Sequence, residues 1–209
     1  MICTDIHTHR SEAYPIERTV RSLSLSEVRG MPLKPDIGLA SVGIHPWNVG
    51  SCYENDMEQL KVWIARDWVR LVGECGLDKY ASAPYKLQLY FFRKQIELAE
   101  QFCKPMIIHC VGYYNELFTL RKEMKPAQRW ILHGFRGKPQ LAEQALKAGC
   151  DLSFGEFFNK DTVRITPVEH LFVETDESKL FIDDIYKMIA EIKDCKVEEL
   201  NAGEKLLNC

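Results

Sequence analysis

Six side chains that can bind a metal ion stand at the ends of apolar runs in this sequence. Two of them are histidines spaced two residues apart in the first run, at positions 7 and 9. Residues i and i+2 of a strand point to the same face, so both imidazoles can reach one cation. The other four end later apolar runs. The candidate ligands are His7, His9, Glu74, His109, His133 and Asp176.

The ligand types indicate which metals such a site would take. Imidazole and carboxylate groups without a thiolate suit Zn²⁺, Mn²⁺, Ni²⁺, Co²⁺ or Mg²⁺. Six side chains exceed the three or four that one catalytic zinc uses, so we expect two divalent cations bridged by a carboxylate. Such a pair lowers the pKa of a bound water towards ~7. A lone histidine at a strand end is more often a surface or hydrogen-bonding residue. The shared position of all six therefore carries the prediction.

The apolar runs predict the strands that would bring these residues together. Eight runs are short enough to be strands buried on both faces of a parallel sheet, and the one at 19–25 is the weakest. Eight such strands close a (β/α)₈ TIM-type barrel, in which the C-terminal strand ends meet at one mouth. The predicted strands are 2–6, 19–25, 39–43, 68–73, 105–109, 130–133, 150–154 and 171–175.

Most segments between these runs have helical periodicity. Asn55 is a plausible N-cap of the first helix, and Pro84 suits the first turn of the longest. Little room remains for a full helix between the first two strands or near 160–168. We therefore expect one domain over residues 1–209, a compact α/β barrel with one or two helices shortened or missing. The predicted helices are 55–66, 84–102, 113–122, 139–148, 183–192 and 197–207.

Composition excludes some classes of protein. The chain has 209 residues, 46% of them hydrophobic, and a net charge of −3. The absence of Lys/Arg runs argues against a protein that grips long stretches of duplex through phosphates. No run approaches the roughly 20 apolar residues that span a membrane, and the N-terminus does not resemble a signal peptide, so we expect a cytoplasmic protein. The eight cysteines form no CxxC pair and are expected to be reduced.

At these residues the sequence resembles the TatD family of metal-dependent deoxyribonucleases, within the amidohydrolase-like barrels. The resemblance runs in order from about residue 2 to 178. Each motif is modest alone, and the ordered set is specific. The matching stretches are 5–9, 42–46, 72–78, 105–110, 133–137 and 173–176.

The resemblance implies a role for each candidate ligand. His7, His9 and Asp176 would hold one cation, and His109 and His133 the other. Glu74 would bridge them, and Asp176 would also orient the attacking hydroxide or take its proton. The resemblance further implies that His45 contacts a substrate phosphate or supports the ligands. Asp5 and Asp78 are expected to orient ligands or rim loops.

Departures from the family pattern concern the substrate rather than the metal. After position 110 the family usually carries an arginine and a small acidic turn, where this chain has Val111 to Tyr114. The loop after Asp176 is also shortened. Cations that remain near the predicted mouth are Arg10, Arg136 and Lys179, which could bind a phosphate. Aromatic residues that could stack on bases are Trp47, Tyr80, Tyr113 and Tyr114.

Three functions are compatible with these residues. The first is a TatD-type hydrolase that cleaves phosphodiester bonds in DNA, at single strands or ends, by attack of a metal-bound hydroxide at a binuclear centre (Mg²⁺, Mn²⁺ or Zn²⁺). Glu74 and Asp176 would be its catalytic residues, and His45, Arg10 and Arg136 its substrate contacts. The second is a metal-dependent hydrolase of a small ester, amide or phosphate. The third is a metal-binding scaffold without catalysis. None implies an obligate protein partner or a membrane.

Overall fold

The computed structural model of the chain describes residues 3–11, 16–32 and 35–208. The predicted start of the first strand at residue 2 and the last cysteine, at position 209, lie outside the described residues.

Eight parallel strands form one sheet whose order follows the chain from β1 to β8, which confirms the predicted barrel. The weak run at 19–25 is a strand, β2. Two strands differ in their bounds: β1 begins and ends later than predicted, and β4 is ten residues long. As a result, His7 and Glu74 lie within strands. The strands are Asp5–Thr8, Thr19–Ser24, Leu39–Gly43, Val69–Asp78, Met106–Val111, Trp130–Leu132, Cys150–Phe154 and Leu171–Val173.

The barrel closes where β1 meets the chain that follows β8. Thr8 and Asp176 form a parallel bridge. The amide of Asp176 donates to the carbonyl of His7 at 3.0 Å, and the amide of His9 donates to the carbonyl of Asp176 at 3.1 Å. Because this seam is a backbone ladder, it fixes three candidate ligands beside one another.

Helices follow most of the strands, and three of them have six residues or fewer, in agreement with the prediction that some helices are shortened. The helix after β2 is a single turn capped by Ser24, and the helix after β7 has six residues and is capped by Asn159. Between β1 and β2 the described residues contain the 3-10 turn Ile16–Arg18. The helices α1 to α8 are Leu25–Val28, Glu54–Ile64, Tyr85–Gln101, Tyr114–Met124, Pro139–Lys147, Lys160–Ile165, Ile182–Lys193 and Ala202–Leu207.

Two helix predictions are wrong. The residue that precedes α2 is Tyr53, not Asn55, and the carboxylate of Asp56 accepts a hydrogen bond from the Tyr53 amide at 2.9 Å. The predicted helix 197–207 is a 3-10 turn, Val197–Glu199, followed by the separate helix α8. Leu200 between them leaves the helical conformation and is buried, so packing overrides the local periodicity here.

Apolar side chains form two packed regions. One fills the space between the strands and the surrounding helices. The other lies inside the barrel, where α8 adds Ala202 to side chains of six strands. Gly203 of α8 lies so close to β1 that a Cβ there would stand 3.1 Å from the Cβ of Thr4. Helix α8 therefore packs beneath the barrel. The strand residues of the interior region are Ile6, Val20, Leu71, Ile107, Ile131 and Phe172.

Cysteines in the described part of the chain are free thiols, and most are buried. Burial raises the pKa of Cys150 to about 12, so this thiol stays protonated at neutral pH. Over the same residues, none of the helices combines the length and the apolar character that crossing a membrane requires.

Candidate metal centre

The carboxylate of Glu74 lies at the centre of the barrel mouth, and its two oxygens face different histidines. Oε1 lies 2.8 Å from Nε2 of His133 and 2.9 Å from Nδ1 of His109. Nε2 of His45 is 3.2 Å from the same oxygen. Three imidazoles, carried by β5 and by the loops that follow β3 and β6, thus surround one carboxylate oxygen.

The second oxygen of Glu74 faces the seam between β1 and β8. Oε2 lies 3.3 Å from Nε2 of His9 and 3.5 Å from Nε2 of His7. Oδ1 of Asp176 lies 3.7 Å and 3.8 Å from the same nitrogens of His7 and His9. The structure therefore brings all six predicted ligands together and adds His45 to them.

The residues present fit a metal. Both ring nitrogens of His7 are buried without a hydrogen-bond partner among the described residues, which is costly for a polar ring unless another group binds it. Ligand atoms bound at ~2.0–2.1 Å to one tetrahedral cation stand about 3.3 Å apart, close to the separations around Oε2 of Glu74. Triads of donors that could hold an ion are His7–His9–Glu74, His7–His133–Asp176 and His45–Glu74–His109.

Local backbone structure explains how Glu74 reaches this position. Gly73 and Gly76 on either side of it both have φ near +140° (142° and 143°). A Cβ at Gly73 would lie 2.3 Å from the carbonyl oxygen of Ile107, and one at Gly76 would lie 2.0 Å from that of His109. Only glycine fits such a close approach of β4 to β5.

Asp78 orients His109. Nε2 of His109 lies 3.0 Å from Oδ2 of Asp78, which leaves Nδ1 turned towards Glu74. The indole N–H of Trp47 donates to the same oxygen at 2.7 Å, and the amide of Tyr80 donates to Oδ1 at 2.8 Å. Asp78 is buried, as its predicted supporting role requires.

Glu174 lies behind His133, a position that local sequence patterns did not predict. Its Oε1 lies 3.5 Å from Nδ1 of His133 and accepts a hydrogen bond from the Gly134 amide at 2.6 Å. Ser153 donates to Oε2. Glu174 directly follows β8 and is fully buried. A charged residue within a predicted buried strand is the signal that could have identified it.

Glu74 and His133 shift each other's pKa in opposite directions. Burial raises the pKa of Glu74, but the charge on His133 and hydrogen bonds from the neighbouring imidazoles outweigh it and hold this pKa well below its usual value. Burial lowers the pKa of His133, but the two carboxylates beside it raise the pKa well above its ordinary value. Both shifts favour an ionised Glu74 beside a protonated His133.

The pKa values of the three candidate ligands at the seam are shifted by different causes. Burial lowers the pKa of His7 to about 3, so this imidazole is neutral and ready to act as a ligand. Contact with the Glu74 carboxylate raises the pKa of His9. Burial is the main cause that raises the pKa of Asp176, and the charge of Glu174 is the next. A carboxylate with a raised pKa is a better proton acceptor near neutral pH.

The predicted cations at the mouth occupy different positions. Arg10 donates from Nη1 to the carbonyl of Leu180 at 3.0 Å and so ties the loop after β1 to the chain before α7. Arg136 and Lys179 are exposed and line a cavity of about 370 Å³ that also borders Asp176. The Arg136 guanidinium lies 5.1 Å from the ring centroid of Phe157.

The four predicted stacking residues divide into two pairs. Trp47 and Tyr80 are 63% and 74% exposed. Tyr113 and Tyr114 instead pack partly against the core, and the ring of Tyr113 lies 5.0 Å from that of Tyr85.

Asp5 supports the seam that carries three candidate ligands, since its Oδ1 also accepts a hydrogen bond from the His7 amide at 3.4 Å, whereas His170 lies apart from them. Asp5 accepts hydrogen bonds from the hydroxyl and amide of Thr175 at 2.6 Å and 3.0 Å, across the seam. The sixth histidine, His170, lies before β8 and contacts Asp151 at 2.7 Å, outside the cluster.

One family profile and several known proteins match this chain. The family profile described as TatD related DNase matches residues 16–203. An uncharacterized metal-dependent hydrolase of Bacillus subtilis, YabD, is 29% identical over 91% of this chain and 85% of its own length. The 3'-5' ssDNA/RNA exonuclease TatD of Erwinia amylovora is 27% identical over 70% of this chain and 60% of its own length. The crystal structure of YjjV, a TatD homologue from Escherichia coli, superposes with a TM-score of 0.78 at 21% identity, covering 100% of this chain and 96% of that one, and so shares its fold. The chain belongs to the family of TatD-related deoxyribonucleases, a family of metal-dependent hydrolases.

Proposed function

We propose that this protein is a metal-dependent hydrolase that cleaves phosphodiester bonds in DNA, at single strands or ends, with two divalent cations (Mg²⁺, Mn²⁺ or Zn²⁺). The observation that carries the proposal is the position of Glu74, whose two oxygens face two separate sets of imidazoles. A carboxylate between two donor sets is the arrangement that a pair of cations requires.

The residues divide between the two cations as follows. His7, His9 and Asp176 would hold one, with Oε2 of Glu74 completing its ligands. His109 and His133 would hold the other, together with Oε1 of Glu74. His45 faces the same oxygen and would contact the substrate phosphate or join this second set.

When bound, the cations would supply Lewis acidity, which activates a water and neutralises charge on the phosphate. The side chains of the mouth would do the remaining work. Asp176 lies at the edge of the cluster, partly open to the cavity, where it can accept a proton from the attacking water. Asp78 and Glu174 would keep His109 and His133 in their orientations.

The cavity beside Asp176 supports a phosphate-containing substrate. Arg136 and Lys179 line this cavity beside the candidate ligand Asp176, together with the carboxylates of Glu156 and Glu177. Arg10 would hold the loop after β1 through Leu180, and its contact with the substrate phosphate is part of the proposal. An exonuclease acting on ssDNA and RNA among the relatives adds support for a nucleic acid.

Cleavage of a 3'- or 5'-labelled single-stranded oligonucleotide with Mg²⁺, Mn²⁺ or Zn²⁺ tests the proposal. We expect Glu74→Ala and Asp176→Asn each to lower kcat/KM by about 10³-fold or more, since each removes a group at the reacting centre. Glu143→Gln, a change of an exposed carboxylate on α5, is the control and should retain wild-type activity. Intact substrate with every metal would contradict the assignment to DNA.

A small ester, amide or phosphate is the second candidate substrate, because acidic residues line the cavity over the metal cluster. Glu27 and Glu177 both border this cavity of about 350 Å³ and would repel a polyanion. Turnover of a chromogenic phosphate or lactone without cleavage of DNA would favour this function. Tight metal binding with no turnover on either substrate class would favour the scaffold.

A further inference from the structure

Trp47 combines an exposed ring with a fixed position, which is unusual for a surface tryptophan. Its indole is 63% exposed and borders the cavity over the metal cluster. Its ring N–H nevertheless donates to the buried carboxylate of Asp78 at 2.7 Å. The Trp47 amide also lies 3.2 Å from Nδ1 of His45, and the two rings meet edge to face with centroids 5.5 Å apart. The ring is therefore held in place while its surface stays available.

Asp78 connects this ring to the metal cluster. The same oxygen that accepts the indole N–H faces Nε2 of His109. The other oxygen accepts the amide of Tyr80, and the amide of Asp78 donates to Oε1 of Gln88 at 2.8 Å. Three groups contact the two carboxylate oxygens, so the Asp78 side chain couples the position of the Trp47 ring to that of the His109 ring.

We propose that Trp47 is the stacking platform for an unpaired base next to the cleaved phosphodiester, and that Asp78 is a positioning residue that holds this platform and His109 in a fixed relative position. The inference rests on the proposed function, whose substrate it narrows to strands with an unpaired base at the mouth.

The chemistry of the cavity fits such a base. An aromatic face binds any base by stacking, and a ring that is already ordered loses little entropy on binding. The hydroxyl of Ser22 and the side-chain amide of Asn48 line the same cavity and can hydrogen-bond the base edge or the sugar. A base inside a duplex is stacked and paired on its own strand, so it would have to leave the helix first.

Tryptophan fluorescence provides a test that does not depend on catalysis. The other three tryptophans are buried or half-buried, so Trp47 should dominate any change caused by a ligand at the surface. We expect a phosphorothioate oligothymidylate, which resists hydrolysis, to quench the emission in the presence of Mg²⁺. Trp47→Phe should abolish this quenching. Binding of the oligonucleotide without quenching would overturn the proposal.

Two substitutions at position 47 separate the ring from its hydrogen bond. Trp47→Ala removes both and should weaken binding of labelled oligothymidylate, measured by anisotropy, by about 5- to 100-fold. Trp47→Phe keeps an aromatic face and should weaken it by no more than about threefold. Tyr90→Ala, at an exposed aromatic on the outside of α3, is the matched control and should bind as wild type.

An abasic oligomer of the same length identifies the base as the partner. We expect wild-type protein to bind the abasic oligomer as weakly as the Trp47→Ala variant binds oligothymidylate. The Trp47→Ala substitution should not lower the affinity for the abasic oligomer any further. If Trp47→Ala lowered the affinity for both oligomers equally, Trp47 would contact the nucleic-acid backbone rather than the base, and the proposal would be overturned. Absence of oligonucleotide binding by wild-type protein would overturn both this inference and the proposed function. Cleavage that does not respond to substitutions at Trp47 would overturn this inference alone.

Asp78→Asn tests the positioning role. We expect the affinity for Zn²⁺ or Mn²⁺ to fall about 10- to 100-fold, because His109 loses its orienting carboxylate. The steady-state anisotropy of Trp47 emission should fall in the same variant. Trp47→Phe should leave metal affinity unchanged, because the contact between Asp78 and His109 remains. Unchanged metal affinity and anisotropy in a folded Asp78→Asn protein would exclude the positioning role.

Discussion

One carboxylate organises the candidate metal centre at the scale of single residues. Glu74 is almost completely buried and contacts five imidazoles, a density of titratable groups that apolar surroundings would not tolerate without compensation. The carboxylates of Glu74 and Glu174 raise the pKa of His133, and Glu74 also raises the pKa of His9, so protons on these imidazoles balance the buried negative charge. With a metal, the positive charge of the cation would take over this role.

When a cation replaces the protons on these imidazoles, protons are released, and this release sets the pH dependence of metal binding. A cation binds neutral imidazoles, whereas His133 and His9 hold protons at pH values where free histidine has begun to lose them. Metal affinity should therefore rise as pH increases through the neutral range, and each binding event should release protons. Calorimetric titration with Zn²⁺ or Mn²⁺ in two buffers of different ionisation enthalpy measures that number.

His170→Ala is the control for the calorimetric titration, because that histidine lies outside the cluster and pairs with Asp151. It should not change the number of protons released, whereas His133→Ala should reduce it. A binding heat that is the same in both buffers would contradict the protonation state described here.

At the scale of elements, the strands set the position of the ligands and α8 supports the strands from the opposite end. The interior of the barrel is apolar, and Ala202 of α8 contributes to it. Arg70 at the start of β4 donates to the carbonyl of Leu207 at 2.7 Å and so fastens the end of α8. The final helix is thus part of the barrel's packing.

Substitution of Ala202 tests this support. Ala202→Asp would place an unpaired carboxylate against the apolar interior, and we expect the free energy of unfolding to fall by about 3–5 kcal/mol. Asn208→Asp adds the same charge at an exposed position after α8 and should change stability by no more than about 0.5 kcal/mol. Urea unfolding monitored by circular dichroism measures both. A loss below about 1 kcal/mol for Ala202→Asp would show that α8 does not seal the interior.

At the scale of the whole molecule, the candidate metal centre joins distant parts of the chain. Its ligands come from strands or loops near β1, β3, β4, β5, β6 and β8, so a bound cation connects elements up to about 170 residues apart in sequence. The unfolded chain cannot present this arrangement, and therefore metal binding should stabilise the fold.

Thermal unfolding measures that stabilisation. At a free metal concentration about 100 times Kd, one site contributes about 2.7 kcal/mol. For a chain of this length the gain corresponds to a rise in Tm of about 5–10 °C. Chelation by EDTA should reverse the shift, and Glu74→Ala should show a much smaller one. An equal rise in Tm for wild-type protein and Glu74→Ala would place the stabilising metal elsewhere.

Local sequence patterns determined much of this protein. Each strand is a short apolar run, and each ligand stands at or near the end of one, so the eight-stranded barrel and the convergence of His7, Glu74 and Asp176 could be predicted without coordinates. Periodicity and strand ends are properties of neighbouring residues, which is why they can be read from the chain.

Tertiary structure alone decided which distant groups meet. Glu174 behind His133, and Asp78 between Trp47 and His109, are pairs formed across separate strands and loops. Packing also ended the predicted helix at Leu200. Sequence spacing holds no information on these contacts, because the neighbours of a side chain across the barrel mouth depend on strand register and loop path rather than on its own local pattern.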